Sequence, residues 1–185
     1  MAKKQKKKEK LDPTPMIRRR LFRIWSEVVR KRAGFTCEVC SLQAGTINPA
    51  NNKKVKLDAH HFLTRFIADN PLKWDPRNGV CACPSDHKFG VKSFHKNPIV
   101  SSEWVRVHRP ESYDLILKHS DISVDLNNRQ VLAEIEKRLD AGQDLDFEEL
   151  KRIEKEFPRE KKSATPQEKQ EEKAPGVAEP PPPQT

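Results

Sequence analysis

Long apolar runs are missing from this sequence. No stretch approaches the roughly 20 apolar residues that cross a bilayer, so the chain is not expected to span a membrane. A lysine run stands at the N-terminus where a secretory signal would carry its apolar segment. That predicts a soluble protein of the cytoplasm, nucleoid-associated or in a host cell, and not a secreted one. Aromatic residues are scarce as well: one Tyr, three Trp and eight Phe among 185 residues leave material for one small core and not for two. Acidic residues are outnumbered, with 27 Asp and Glu against 36 Lys and Arg, and the formal net charge of +9 favours a polyanionic partner without identifying it. Cysteine is limited to four residues. In a reducing compartment such cysteines read as a metal site before they read as disulfides. Internal repeats are absent.

Residues 1–15 hold Lys3, Lys4, Lys6, Lys7, Lys8 and Lys10 with almost nothing apolar, which predicts a disordered basic arm. From Met16 to Arg32, Ile17, Leu21, Ile24, Trp25, Val28 and Val29 recur at spacings of three and four, the pattern of an amphipathic helix. Pro15 suits its first turn and Gly34 its end. Arg18, Arg19 and Arg20 place a basic face on that helix, suited either to a nucleic-acid backbone or simply to solvent. Residues 45–54 read as a polar loop, Val55–Leu57 as the start of a strand that carries Asp58 to Phe62 at its end, and Gly79–Cys83 as a strand following the Asn78-Gly79 turn signal. Ser85 is a candidate N-cap for a helix bearing His87 and Phe89. Further helices are expected at 103–107, 111–119, 131–139 and 147–157. Their expected role is packing support or an oligomer contact. The tail 161–185, rich in Pro, Glu, Lys and Gln, is expected to be disordered.

All four cysteines (Cys37, Cys40, Cys81, Cys83) and four of the six histidines (His60, His61, His87, His95) lie between residues 37 and 95. Two thiolates at Cys-x2-Cys spacing chelate a tetrahedral zinc well. Cys81 and Cys83 are two apart, so on a strand both would face one side. Consecutive histidines at a strand end face opposite sides, so His60 and His61 cannot share one task. These motifs are weak singly, but their order and spacing are specific.

Cys-Glu-Val-Cys, then Asp-Ala-His-His-Phe, then Asn-Gly-Val-Cys-Ala-Cys-Pro-Ser-Asp-His, read in that order over about residues 20–107, resemble an HNH endonuclease module of the type carried by phages and mobile elements. The resemblance implies an α+β fold: a small ββα-metal (His-Me finger) module with a zinc knuckle, flanked by helices and tails. It divides the chain into the arm 1–15, a nuclease domain 16–107 with its N-terminal helix, a helical extension 108–160 and the tail 161–185. It implies hydrolysis of DNA phosphodiester bonds with one catalytic divalent ion, Mg2+ or another. His60 and His87 would be ligands of that ion, His61 the general base, and Asn78 the residue that holds the base-bearing strand, unless Asn78 is only a turn residue. His95 completes the metal shell, contacts the scissile phosphate or lies idle on the surface. Arg65 and Lys88 are candidates for flanking phosphates. In the family the last structural-zinc position is usually Cys or His, and here it is Asp86. Between Cys81 and Asp86 as fourth ligand beside Cys37, Cys40 and Cys83, the softer thiolate of Cys81 is favoured.

The competing reading is a non-catalytic zinc ribbon that binds nucleic acid or a protein. A ribbon does not need His60, His61, Asn78 and His87 in motif order. A zinc hydrolase of small molecules would want a helical His-Glu-x2-His element, which is missing. DNA is the expected partner, and a homodimer or phage packaging components are further candidates.

Overall fold

The computed structural model describes residues 14–63 and 69–158. The expected basic arm up to residue 13, Arg65, and the tail from residue 159 lie outside the described residues. The described chain is α+β, with small antiparallel sheets set among helices.

Helix α1 spans Thr14–Arg32, opening two residues before the apolar periodicity suggests because Pro15 fits a first turn. It ends where Gly34 takes φ +59°, and the Gly34 and Phe35 N–H groups cap the Lys31 and Arg30 carbonyls. Leu21, Trp25 and Val29 of α1 are buried in one continuous core. The supposed loop 45–54 contains a short hairpin, β1 (Ile47–Asn48) with β2 (Lys53–Lys54). Val55 extends that hairpin through its hydrogen bonds to Thr46 and Gly45, so the next strand, β3, starts only at Asp58 and runs to His61. β3 pairs with β4 (Gly79–Ala82), His60 opposite Val80 and His61 opposite Gly79. After Pro84 a wide helical turn, Ser85–Phe89, follows; Ser85 is its first residue rather than its cap, and no side chain caps it.

Asn78-Gly79 is not a reverse turn. Gly79 is extended at φ −117°, and its lack of a side chain serves close approach: a Cβ there would lie 2.5 Å from Val29 Cγ2 and 2.9 Å from Trp25 Cζ2. Both neighbours are buried in α1 and cannot yield. Gly79→Ala is therefore expected to destabilise the protein by about 1–3 kcal/mol through overpacking, read as a lower denaturation midpoint at unchanged slope.

Helices α2 (Pro98–His108), α3 (Pro110–His119), α4 (Arg129–Asp140) and α5 (Phe147–Glu156) complete the described chain. α2 is longer than its periodicity predicts, because Asn97 caps it with Pro98 in the first turn. Asn128 and Asp146 cap α4 and α5. Val131, Leu132, Ile135 and Leu139 of α4 and Leu150 of α5 enter the same core as α1. The Arg18 guanidinium donates to the Leu126 carbonyl and Asn127 Oδ1, both at 3.0 Å, and Arg20 pairs with Glu136. These two arginines of the basic face thus tie α1 to α4 and the loop before it.

Candidate metal centres and cleft

The knuckle begins at the isolated Thr36–Gln43 bridge, with Cys37 N–H bonded to the Leu42 carbonyl and Ser41 turned to φ +60°. Glu38, between the two cysteines, fastens the knuckle to β4. Its Oε1 accepts from Cys81 N–H at 2.9 Å, and its Oε2 accepts from Arg109 at 2.6 Å. The donor atoms of Cys37, Cys40, Cys83 and Asp86 lie within 4.8 Å of one another and can hold a metal ion. Cys40 Sγ is 3.7 Å from Cys83 Sγ, and Asp86 Oδ2 is 3.3 and 3.2 Å from the sulfurs of Cys37 and Cys83. Burial, followed by contacts to Asp86 and Cys37, pushes the Cys40 thiol up, and burial likewise raises Cys83. A bound cation would favour the thiolate forms that this crowding disfavours.

Cys81 is not part of this cluster. Alternation along β4 puts it on the face of Gly79, against α1, where it is fully buried. Burial first, and then the charge of Glu38, hold its thiol protonated with a pKa pushed up to about 12. The strand ends at Ala82, so the two-residue period does not reach Cys83, whose side chain turns to the knuckle. Asp86 takes the position that thiolate softness had favoured for Cys81.

On the other side of the Ser85–Phe89 turn the nitrogens of His60, His87 and His95 lie within 4.8 Å of one another. Adjacent residues of one turn thus serve two centres, Asp86 the thiol cluster and His87 the imidazole cluster. His87 Nδ1 donates to Asp58 Oδ2 at 2.9 Å, which leaves the lone pair on Nε2, 3.1 Å from His95 Nε2. Burial foremost, then the charges of His87 and His95, bring the His60 pKa down to about 3. Burial also lowers that of His87, against the pull of Asp58. At neutral pH the His60 and His87 rings are held in the uncharged form that ligates metals.

His61 leaves β3 on the opposite face, stacked on Trp25 with centroids 3.7 Å apart. Its Nε2 donates to the Lys73 carbonyl at 2.8 Å, so the neutral ring carries its lone pair on Nδ1. Asn78 is wholly buried behind it. Its Oδ1 accepts from Leu63 N–H at 2.7 Å and its Nδ2 donates to the Leu63 and Leu72 carbonyls, joining the end of β3 to the segment that carries Lys73. All four histidines border one open cleft of about 820 Å³, together with Asp58 and Lys88. Lys88 Nζ is 3.8 Å from Asp58, and Arg19 is exposed on α1.

Two contributors escape the motif pattern. Asp58 precedes His60 by two residues on the same strand face, and that spacing is the signal that it reaches the same cluster. Phe94 packs on His60 at 5.2 Å and on Trp104 at 5.6 Å, forming an apolar wall. Carboxylates that accept from a ligating imidazole fix its tautomer and raise its basicity. Asp58→Asn is accordingly expected to weaken divalent-ion binding at the imidazole cluster by about 10 to 100-fold, measured by calorimetry, while the metal content of the thiol cluster stays unchanged.

Compared with known proteins, the chain matches no family model, no curated protein and no solved structure. Among the described residues, no helix is long and apolar enough to cross a membrane.

Proposed function

We propose that the protein is a metal-dependent HNH endonuclease that hydrolyses DNA phosphodiester bonds. The observation that carries this reading is the convergence of His60, His87 and His95 on one point of an open cleft, with His61 on the same cleft but outside the cluster. β3, β4 and the Ser85–Phe89 turn then read as a ββα-metal module, with Cys37, Cys40, Cys83 and Asp86 as its zinc staple. The thiol spacing supports zinc: a tetrahedral site with Zn–S bonds of about 2.3 Å has a sulfur–sulfur edge of about 3.8 Å, against 3.7 Å between Cys40 and Cys83. Hydrogen bonds from backbone N–H to ligating sulfur suit such a site, and Cys83 N–H donates to Cys37 Sγ at 3.3 Å.

His60, His87 and His95 would hold one divalent ion, Mg2+ or another, which supplies Lewis acidity and orients the scissile phosphate. Asp58 keeps the lone pair of His87 aimed at that point. His61 Nδ1 accepts the proton of the attacking water, and the Nε2–H bond to Lys73 fixes the tautomer that makes this possible. Asn78 secures the loop that presents Lys73. Lys88 supplies positive charge beside the cleft for a flanking phosphate.

The test is incubation of zinc-loaded protein with supercoiled plasmid and magnesium, manganese or nickel. Nicked or linear product that depends on the added ion is expected. A folded, zinc-loaded protein that leaves plasmid intact with every ion overturns the reading and favours a zinc module that only binds.

A further inference from the structure

A second hollow of about 350 Å³ opens next to the cleft, lined by Arg18, Arg19, Phe22, Lys73 and Trp74. Phe22 borders both spaces, and its ring stacks on His61 with centroids 5.9 Å apart. The hollow therefore begins one side chain away from the base of the proposed reaction.

Its chemistry is a surplus of cations over an apolar floor. Arg18 and Arg19 come from the first turns of α1, and Lys73 comes from the Pro71–Trp74 turn, its ammonium 4.9 Å from the Trp74 ring centre. Arg18 is anchored through Nη2 to Leu126 and Asn127, while its Nε is buried with no acceptor among the described residues. Burial, and then Arg18, disfavour the charge on Lys73, with Asp69 the one carboxylate acting the other way. Half-buried Phe22, which also stacks on Trp25, and buried Trp74 give the hollow its apolar lining. An anion joined to an aromatic ring satisfies both features at once: the phosphate answers the cations and the ring stacks.

We propose that this hollow is a nucleotide subsite, which takes one nucleotide of the bound strand next to the scissile phosphate, its phosphate against Arg19 and Lys73 and its base over Phe22. The assignment rests on the nuclease reading for its place in the reaction, but its binding chemistry is testable without cleavage. The full, zinc-loaded chain is titrated with deoxyadenosine monophosphate, with deoxyadenosine and with inorganic phosphate, no magnesium being added, and binding is followed by calorimetry. The monophosphate is expected to bind at least about ten-fold more tightly than either of its parts, because each part satisfies only half of the site. Arg19→Gln and Lys73→Gln are each expected to weaken it by about ten-fold, as loss of one charge-assisted contact. Arg19 is exposed, so its replacement leaves folding intact and keeps the test decisive. Monophosphate binding that is unchanged in both variants, or no tighter than that of inorganic phosphate, overturns the subsite. A protein that cuts plasmid and shows either result loses the subsite alone; one that binds as expected and never cuts loses the nuclease reading alone.

Discussion

Cys37→Ser is expected to yield a chain that neither retains zinc nor folds. Structural zinc sites contribute an apparent 10–16 kcal/mol or so at neutral pH, while whole domains are stable by only about 5–15 kcal/mol. Loss of zinc from the proposed site would therefore be enough to unfold a domain of this size. The knuckle shows why: residues 36–43 are held by the Thr36–Gln43 bridge, a few turn hydrogen bonds and Glu38. Zinc analysis of the parent should find about one tightly held ion per chain, and chelation should unfold it with the same loss of circular dichroism as the substitution. Asp86→Ala should lower zinc affinity sharply, since Asp86 Oδ2 lies against two of the sulfurs. Cys81→Ala should not, and is expected to cost only about 1 kcal/mol, the loss of a small buried group. That ranking is opposite to the one suggested by thiolate softness alone. A well-folded, zinc-free protein after mild chelation, or a greater zinc loss in Cys81→Ala than in Asp86→Ala, would show that the thiol cluster is not the staple.

Local regularities carried the sequence reading as far as they physically extend. The four-residue spacing of Leu21, Trp25 and Val29 specifies a helix face, and α1 buries that face. Strand alternation separates His60 from His61, and the structure puts the first with His87 and the second on Trp25. The same alternation failed for Cys81 and Cys83, because β4 ends between them and a two-residue period holds only inside a strand. Asn78-Gly79 has the composition of a turn, yet the buried Asn78 clamps a loop and Gly79 admits α1, both effects of distant packing. Arg18 and Arg20 look identical to Arg19 in sequence. What distinguishes them is partners more than a hundred residues away, Asn127 and Glu136, which no local pattern reveals. Likewise α4 and α5 carry no ligand motif, but they share the core with α1 and so brace the helix on which His61 rests.

His61→Ala is expected to reduce plasmid cleavage by about 10² to 10⁴-fold, the contribution of a positioned proton acceptor, which corresponds to about 3–5 kcal/mol of barrier. Zinc content and DNA affinity should stay near those of the parent, since neither the thiol cluster nor the imidazole cluster includes His61. Some stability will be lost with the Trp25 stack, about 0.5–1.5 kcal/mol, so rates must be compared per folded molecule. His60→Ala and His87→Ala form the necessary contrast. Each removes a donor from the imidazole cluster, so their activity should recover in part as the divalent ion is raised, whereas no metal concentration restores an absent base. A histidine that served only packing would give a third pattern, with cleavage falling in step with the unfolded fraction and no further. If folded, zinc-loaded His61→Ala nicks plasmid at the parent's rate, the water must be deprotonated elsewhere. His61 would then be a packing residue between Trp25 and the Lys73 carbonyl, and the proposed mechanism would lose its base.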